Sequence, residues 1–145
     1  MVNPLTKRDI HASLRAFLAF CLIAATGLAH GQALDSVEVV IRDDQTELIV
    51  HFLPRIQYLR HAPVDYGKSV RVYLQFVGLG VQADDYLIPA TKHLPKTERS
   101  PHVTVSYPEP DKSLLLIFES PVRYTVRPGS DGRSISILLP AKPKE

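Results

Sequence analysis

The sequence predicts an all-β protein: a β-sandwich of two similar, roughly four-stranded sheets produced by an internal duplication. Three observations carry this expectation. From residue 34 onward apolar and polar residues alternate with period two, the pattern of half-buried strands whose successive side chains point to opposite faces. No stretch of that region keeps a helical period over ten or more residues. The region also superposes on itself after a shift of 66 residues.

The elements follow in order. Val37, Val39 and Ile41 share one face of a first strand, and Leu48, Val50 and Phe52 one face of a second. Asp43-Asp44 separates them, aspartate being a residue that tolerates the left-handed turn conformation. Pro54 stands at the end of the second strand, where a missing N–H does no damage, and a kink leads into a short strand holding Ile56 and Tyr58. After the turn Asp65-Tyr66-Gly67 comes a longer strand with Val70, Val72, Leu74 and Phe76 on one face and Arg71, Tyr73 and Gln75 on the other. The series then repeats: Val103, Val105 and Tyr107; the turn Asp111-Lys112; the apolar run 114–118; Pro121; and, past Gly129-Ser130-Asp131-Gly132, the alternating Ile135, Ile137 and Leu139.

The self-match keeps strand phase. Val37 falls on Val103, Leu48 on Leu114, Phe52 on Phe118, Ile56 on Val122 and Tyr58 on Tyr124; one residue is then lost, and Gly67 meets Gly132, Val70 meets Ile135 and Val72 meets Ile137. The copies are 36–76 and 103–139. A sheet that is apolar on one face must bury that face, so each copy is expected to form one sheet and to pack on the other. The connecting stretch 78–101 carries Pro89, Pro95 and Pro101 and is long for a loop in a compact domain, either a plain crossover or a functional segment. Residues 140–145, rich in proline and lysine, read as the start of an extended linker.

Residues 1–33 read as a cleavable export signal. Lys7, Arg8 and Arg15 precede the apolar run 16–28, which is too short to cross a ~30 Å hydrocarbon core, and small residues follow it. Cleavage near Ala33 is expected, with cleavage after Gly31 as the alternative. Cys21, the one cysteine, lies inside the apolar run behind Phe20, which is no lipoprotein site, so the processed chain holds no thiol and depends on no disulfide. The leader takes three of the 17 basic residues and one of the 15 acidic ones, leaving 14 of each. Such a balance gives no dense basic patch for nucleic acid, and nothing in the processed part inserts into a membrane.

No catalytic constellation stands out, and the expectation is a protein that is not an enzyme and uses no cofactor or metal. His51, His61, His93 and His102 show no metal-binding spacing. Ser100 and His102 lie close to Asp84 and Asp85 in sequence, but no nucleophile elbow or glycine-rich oxyanion loop accompanies them.

The opening Ser36-Val37-Glu38-Val39, the strand Leu48-Ile49-Val50-His51-Phe52 leading to Pro54 and Tyr58, and Lys68-Ser69-Val70-Arg71-Val72-Tyr73-Leu74 resemble the AMIN domains of the bacterial periplasm, as do their repeats at 114–118, 121–124 and 133–140. Those domains are β-sandwiches that target wall amidases and pilus secretins to the cell wall, and similar modules precede tetratricopeptide repeats in envelope proteins. The resemblance covers nearly all of the chain past the leader. It implies a periplasmic targeting module whose partner is peptidoglycan, the alternative being an envelope protein recruited by edge-strand pairing. The polar residues that recur outside the core supply the binding candidates: Tyr58, Arg60, Arg71 and Tyr73 in the first copy, and Arg123, Tyr124 and Arg127 in the second. Aromatic faces stack on sugar rings and guanidinium forks pair with carboxylates, the two chemistries of a glycan-peptide polymer.

Overall fold

The structure is a computed structural model and describes residues 31–78 and 87–141. The signal read at 1–30, Asp84 and Asp85, and the tail from 142 lie outside the described residues. Within them the chain is all β, with two antiparallel sheets. Its strands are β1 (Leu34–Ile41), β2 (Gln45–Phe52), β3 (Ile56–Ala62), β4 (Tyr66–Phe76), β5 (Ala90–Leu94), β6 (Val103–Tyr107), β7 (Leu114–Arg123), β8 (Thr125–Pro128) and β9 (Ser134–Pro140). The first sheet has the order β1-β2-β9-β8 and the second β3-β4-β7-β6-β5. Among the described residues no helix is long and apolar enough to cross a membrane.

The inward residues are those the alternation marks. Leu48 and Val50 from the first sheet, and Val70, Val72, Leu114 and Leu116 from the second, are fully buried, as are Ile135 and Ile137. Aromatic rings close the layer: Phe52 meets Tyr107 edge-on at 5.2 Å, and Phe118 stacks on Tyr124 at 6.0 Å.

One expectation is corrected. Neither copy forms a sheet by itself; each sheet takes strands from both. The cause is local. Between β2 and β3 only Leu53-Pro54-Arg55 intervene, and between β7 and β8 only Tyr124, yet each pair divides between the two sheets. The kink after each copy's second strand is therefore a crossing point between layers. The central pairings are made between copies, β2 with β9 and β4 with β7. Their registers correspond: Val50 opposes Ile135 and Leu48 opposes Ile137, while the repeat equivalents Leu116 and Leu114 oppose Val70 and Val72. The duplication thus relates one sheet to the other.

Two departures from the repeat are local. In the β1–β2 pair Val37 opposes Val50, but in the β6–β7 pair it is Val105 that opposes Leu116, so β6 is displaced by two residues relative to the sequence match. An even displacement keeps side chains on their faces, and Val103, Val105 and Tyr107 remain buried. The slack comes from a longer connection before β7, where Lys112 donates its N–H to the Glu109 carbonyl and takes φ 61°. The second departure is β5, a strand inside the stretch 78–101, which extends the second sheet beside β6.

The face of β1 that the alternation marks as core is covered only in part. Leu34 is buried and Val37 packs on the core, but Val39 and Ile41 are 37% and 46% exposed. β1 lies at a sheet edge opposite the five-residue β5, which is too short to cover it.

Candidate functional site

The structure divides the seven candidate residues among three places. Tyr58 and Tyr124, equivalent in the repeat, turn into the sandwich. Tyr58 packs against the core and its hydroxyl donates to Nδ1 of His61 at 2.6 Å, while Nε2 of His61 donates to the Val64 carbonyl at 2.7 Å. Tyr124 is 2% exposed, and its hydroxyl donates to the Pro63 carbonyl at 3.0 Å. Burial, with Asp65 nearby, pushes the Tyr124 phenol above its ordinary pKa. Tyr124 is therefore almost wholly buried, and what remains of its surface lines a hollow together with Arg123 and Arg127.

Arg60, Arg71 and Tyr73 come together on the outer face of the second sheet. Alternation along β4 turns Arg71 and Tyr73 outward, and the β3–β4 register sets Arg60 opposite Tyr73. The Arg60 guanidinium carbon lies 4.0 Å from the Tyr73 ring centroid, a cation–π contact. Arg71 donates to Asp111 at 3.3 Å and to the Ser113 hydroxyl at 3.1 Å. The Asp111 carboxyl is held below the ordinary aspartate range, chiefly by the hydroxyl of Ser113, with the Ser113 N–H and Arg71 adding to it. This set is satisfied within itself.

Arg123 and Arg127 stand elsewhere, on a furrow along one end of the sandwich. One part of it is a cleft of about 680 Å³ between the segment before β6 and the bend in β7, lined by Tyr66, Lys96, Arg99, Pro101, Glu119, Pro121, Val122, Arg123 and Pro140, among others. A second hollow of about 380 Å³ shares Arg123 and Pro140 with the cleft. A third, of about 470 Å³, shares Gln45, Arg127 and Leu138 with the second and opens onto the outer face of the first sheet. Neighbouring hollows share lining residues, so the three lie side by side.

Each wall has a local cause. Pro121 bends β7, whose register with β4 shifts between Gly67 and Ser69, and this turns Arg123 toward the Tyr66 ring, 5.8 Å away. The buried Thr46 donates its hydroxyl to the Arg99 carbonyl at 2.8 Å and so pins the segment before β6 against the sandwich. A turn in which Thr97 and Ser100 bond each other holds the same segment. Lys96 is paired with Glu119 at 3.0 Å. Among the described residues, Arg99, Arg123 and Arg127 have no carboxylate partner.

Sequence reasoning missed Tyr66, Lys96 and Arg99. Tyr66 stands in a turn, and the other two come from a stretch without periodicity that is fixed by one buried hydroxyl on a distant strand. The remaining polar groups gather less. The rings of His93 and His102 stack at 6.4 Å, and the buried Ser100 hydroxyl donates to the Pro101 carbonyl. Among the described residues no three His, Cys, Asp or Glu side chains gather in a way that could hold a metal ion.

Comparison with models of known families, with curated proteins and with solved structures finds no match to this chain.

Proposed function

We propose that this protein is a non-catalytic binding and targeting module of the bacterial periplasm that recognises peptidoglycan along the end furrow. The observation that carries the reading is the row Arg99, Arg123 and Arg127 along three neighbouring hollows, each without a carboxylate partner among the described residues. A row of guanidinium groups in an elongated furrow suits an extended polymer that bears carboxylates at intervals. The sequence resemblance to AMIN domains and the signal-like leader support the same reading.

The test is cosedimentation with isolated sacculi across a salt series. Retention should fall as salt rises, because exposed charges are screened over about 8 to 10 Å at moderate ionic strength. An Arg123→Ala/Arg127→Ala double variant should bind more weakly, by up to about thirtyfold, exposed ion pairs being worth up to ~1 kcal/mol each. Arg71→Ala, on the opposite face, should bind like wild type. No sedimentation at any salt overturns the proposal.

A second reading, recruitment of an envelope protein by strand addition, draws on the open edge of β1 with its exposed Val39 and Ile41. Such binding would respond little to salt and would be lost in Val39→Lys.

Processing is part of the proposal. Ala33 is 3% exposed, and its carbonyl accepts the Leu53 N–H at 2.9 Å. Cleavage after Gly31 retains that contact, whereas cleavage after Ala33 removes it. The intact mass of the exported form distinguishes the two sites.

A further inference from the structure

We infer that the furrow reads the carboxylates of the wall's peptide stems and that the sugars of the glycan strand contribute little; this rests on the wall-binding reading above. Stacking on a sugar ring needs an aromatic face open to solvent. Among the described residues few such faces are left. Tyr107 and Tyr124 are buried, Phe52 and Phe118 likewise, and Phe76 packs against the core. Tyr58 also packs on the core and is tied to His61. Tyr73 has Arg60 over its ring at 4.0 Å and lies outside the furrow. Tyr124 lines the second hollow but is only 2% exposed, which leaves Tyr66, 55% exposed, as the furrow's open ring, with the Arg123 guanidinium 5.8 Å from its centroid.

Against that single, partly occupied ring stand three guanidinium groups, each with five N–H donors in a fixed fork that matches a carboxylate. In the cleft that holds Arg99 and Arg123 the floor is supplied by Pro101, Pro121 and Pro140, apolar and poor in donors, while Asp44, Gln45 and Asp65 line the hollow that Arg123 shares with Arg127. A sugar, which carries mostly hydroxyl groups, finds few partners on such a floor. A short peptide with apolar side chains and free carboxylates finds both kinds of contact.

The experiment compares the purified protein on native sacculi with the same sacculi after carbodiimide-driven amidation, which turns each carboxylate into a neutral amide and leaves the glycan intact. Amidation should weaken binding about tenfold or more, and soluble N-acetylglucosamine oligomers should not compete at millimolar concentration. An Arg123→Lys/Arg127→Lys variant, which keeps the charge and loses the forks, should bind several-fold more weakly, with a thermal melt confirming that it folds. Equal binding to amidated and native sacculi, competition by the oligomers, or a lysine variant indistinguishable from wild type each overturns the inference while leaving wall binding intact. Failure to bind native sacculi at all overturns the reading beneath it.

Discussion

Gly132 takes φ +66°, in the left-handed region, and its carbonyl accepts the N–H of Ile56, so a turn of the second copy anchors the start of β3 in the first. A Cβ at this position would meet only the Arg55 guanidinium, at 3.6 Å, an ordinary contact. The cost of Gly132→Ala is therefore conformational, about 1 kcal/mol, a drop of roughly 4–8 °C in Tm for a domain of this size. Gly129→Ala should cost more, because its Cβ would collide with the Ser134 hydroxyl. Thermal melts of the two variants check this order. The Ser134 hydroxyl and the Arg133 N–H both donate to Asp131 and hold its carboxyl below the ordinary aspartate range, the backbone bond foremost. Asp111 is lowered chiefly by Ser113. Each group has a lower pKa folded than unfolded, so between those two values the unfolded chain binds more protons. Their stabilisation is then complete above the ordinary value of about 4 and is lost as pH falls through the depressed ones. Urea midpoints should decline from about pH 4 downward, and the decline should be shallower in an Asp111→Asn/Asp131→Asn variant. Because both carboxylates are exposed, the slope is modest. The turn positions of these aspartates are legible in the sequence. The inward turn of Tyr58 and Tyr124 is legible too: they share the phase of core residues, so the alternation itself places them inward, and only their polar tips suggest a surface role.

At the scale of elements, the alternation locates strands wherever one face is apolar and the other polar, and it fails where an edge position breaks the pattern. β5 is such a case. Lys92 opposes Val105, which is buried, so it lies on the inward side of an edge strand and interrupts the apolar row of Ala90 and Leu94. An inward charge on a short edge strand discourages sheet-to-sheet pairing. β3 carries a bulge between Tyr58 and Arg60, and β8 has four residues and ends at Pro128, two further devices of that kind. β1 holds eight residues with Val39 and Ile41 exposed, and its one irregularity lies at its start, between Leu34 and Ser36. It is the least protected of the four edges. The paired central strands carry the stability. Phe118 is 1% exposed and Phe52 3%, and truncating either to alanine should cost on the order of 3 to 5 kcal/mol, read from the chemical denaturation midpoint. Thr46 links element to site. Thr46→Val keeps the shape of the side chain but removes the donor to the Arg99 carbonyl, at a cost of about 1 to 3 kcal/mol if that carbonyl stays buried. It should also weaken sacculus binding more than its effect on the melt accounts for, because the segment bearing Arg99 is no longer pinned. Nothing in the residues around Arg99 announces that tie, which spans 53 residues of sequence.

For the whole molecule, the repeat predicts two like sheets and the structure has them, but the assignment of strands to sheets follows from the two crossing points, whose geometry the pattern of apolar residues does not encode. Pro54 and Pro121 mark a break equally well if the chain stays in its sheet or leaves it. The difference has an energetic consequence. Separated from the second copy, the first retains β1–β2 and β3–β4, two hairpins that belong to opposite sheets. It loses β2–β9 and β4–β7, the pairings that join Val50 to Ile135 and Val70 to Leu116 at the centre of the core. Hairpins alone are marginal in water, and a sheet that gains its inner neighbours only from the other copy cannot bury its apolar face without them. A chain divided between Gly78 and Leu87 should therefore give two fragments that are each unfolded by circular dichroism and amide-proton dispersion. Expressed together, they should copurify with the melting transition of an intact β-sandwich, lowered by the entropy of bringing two chains into one core. Were each copy an autonomous sheet, either fragment would show cooperative melting alone, and that result would refute the exchange of strands described above.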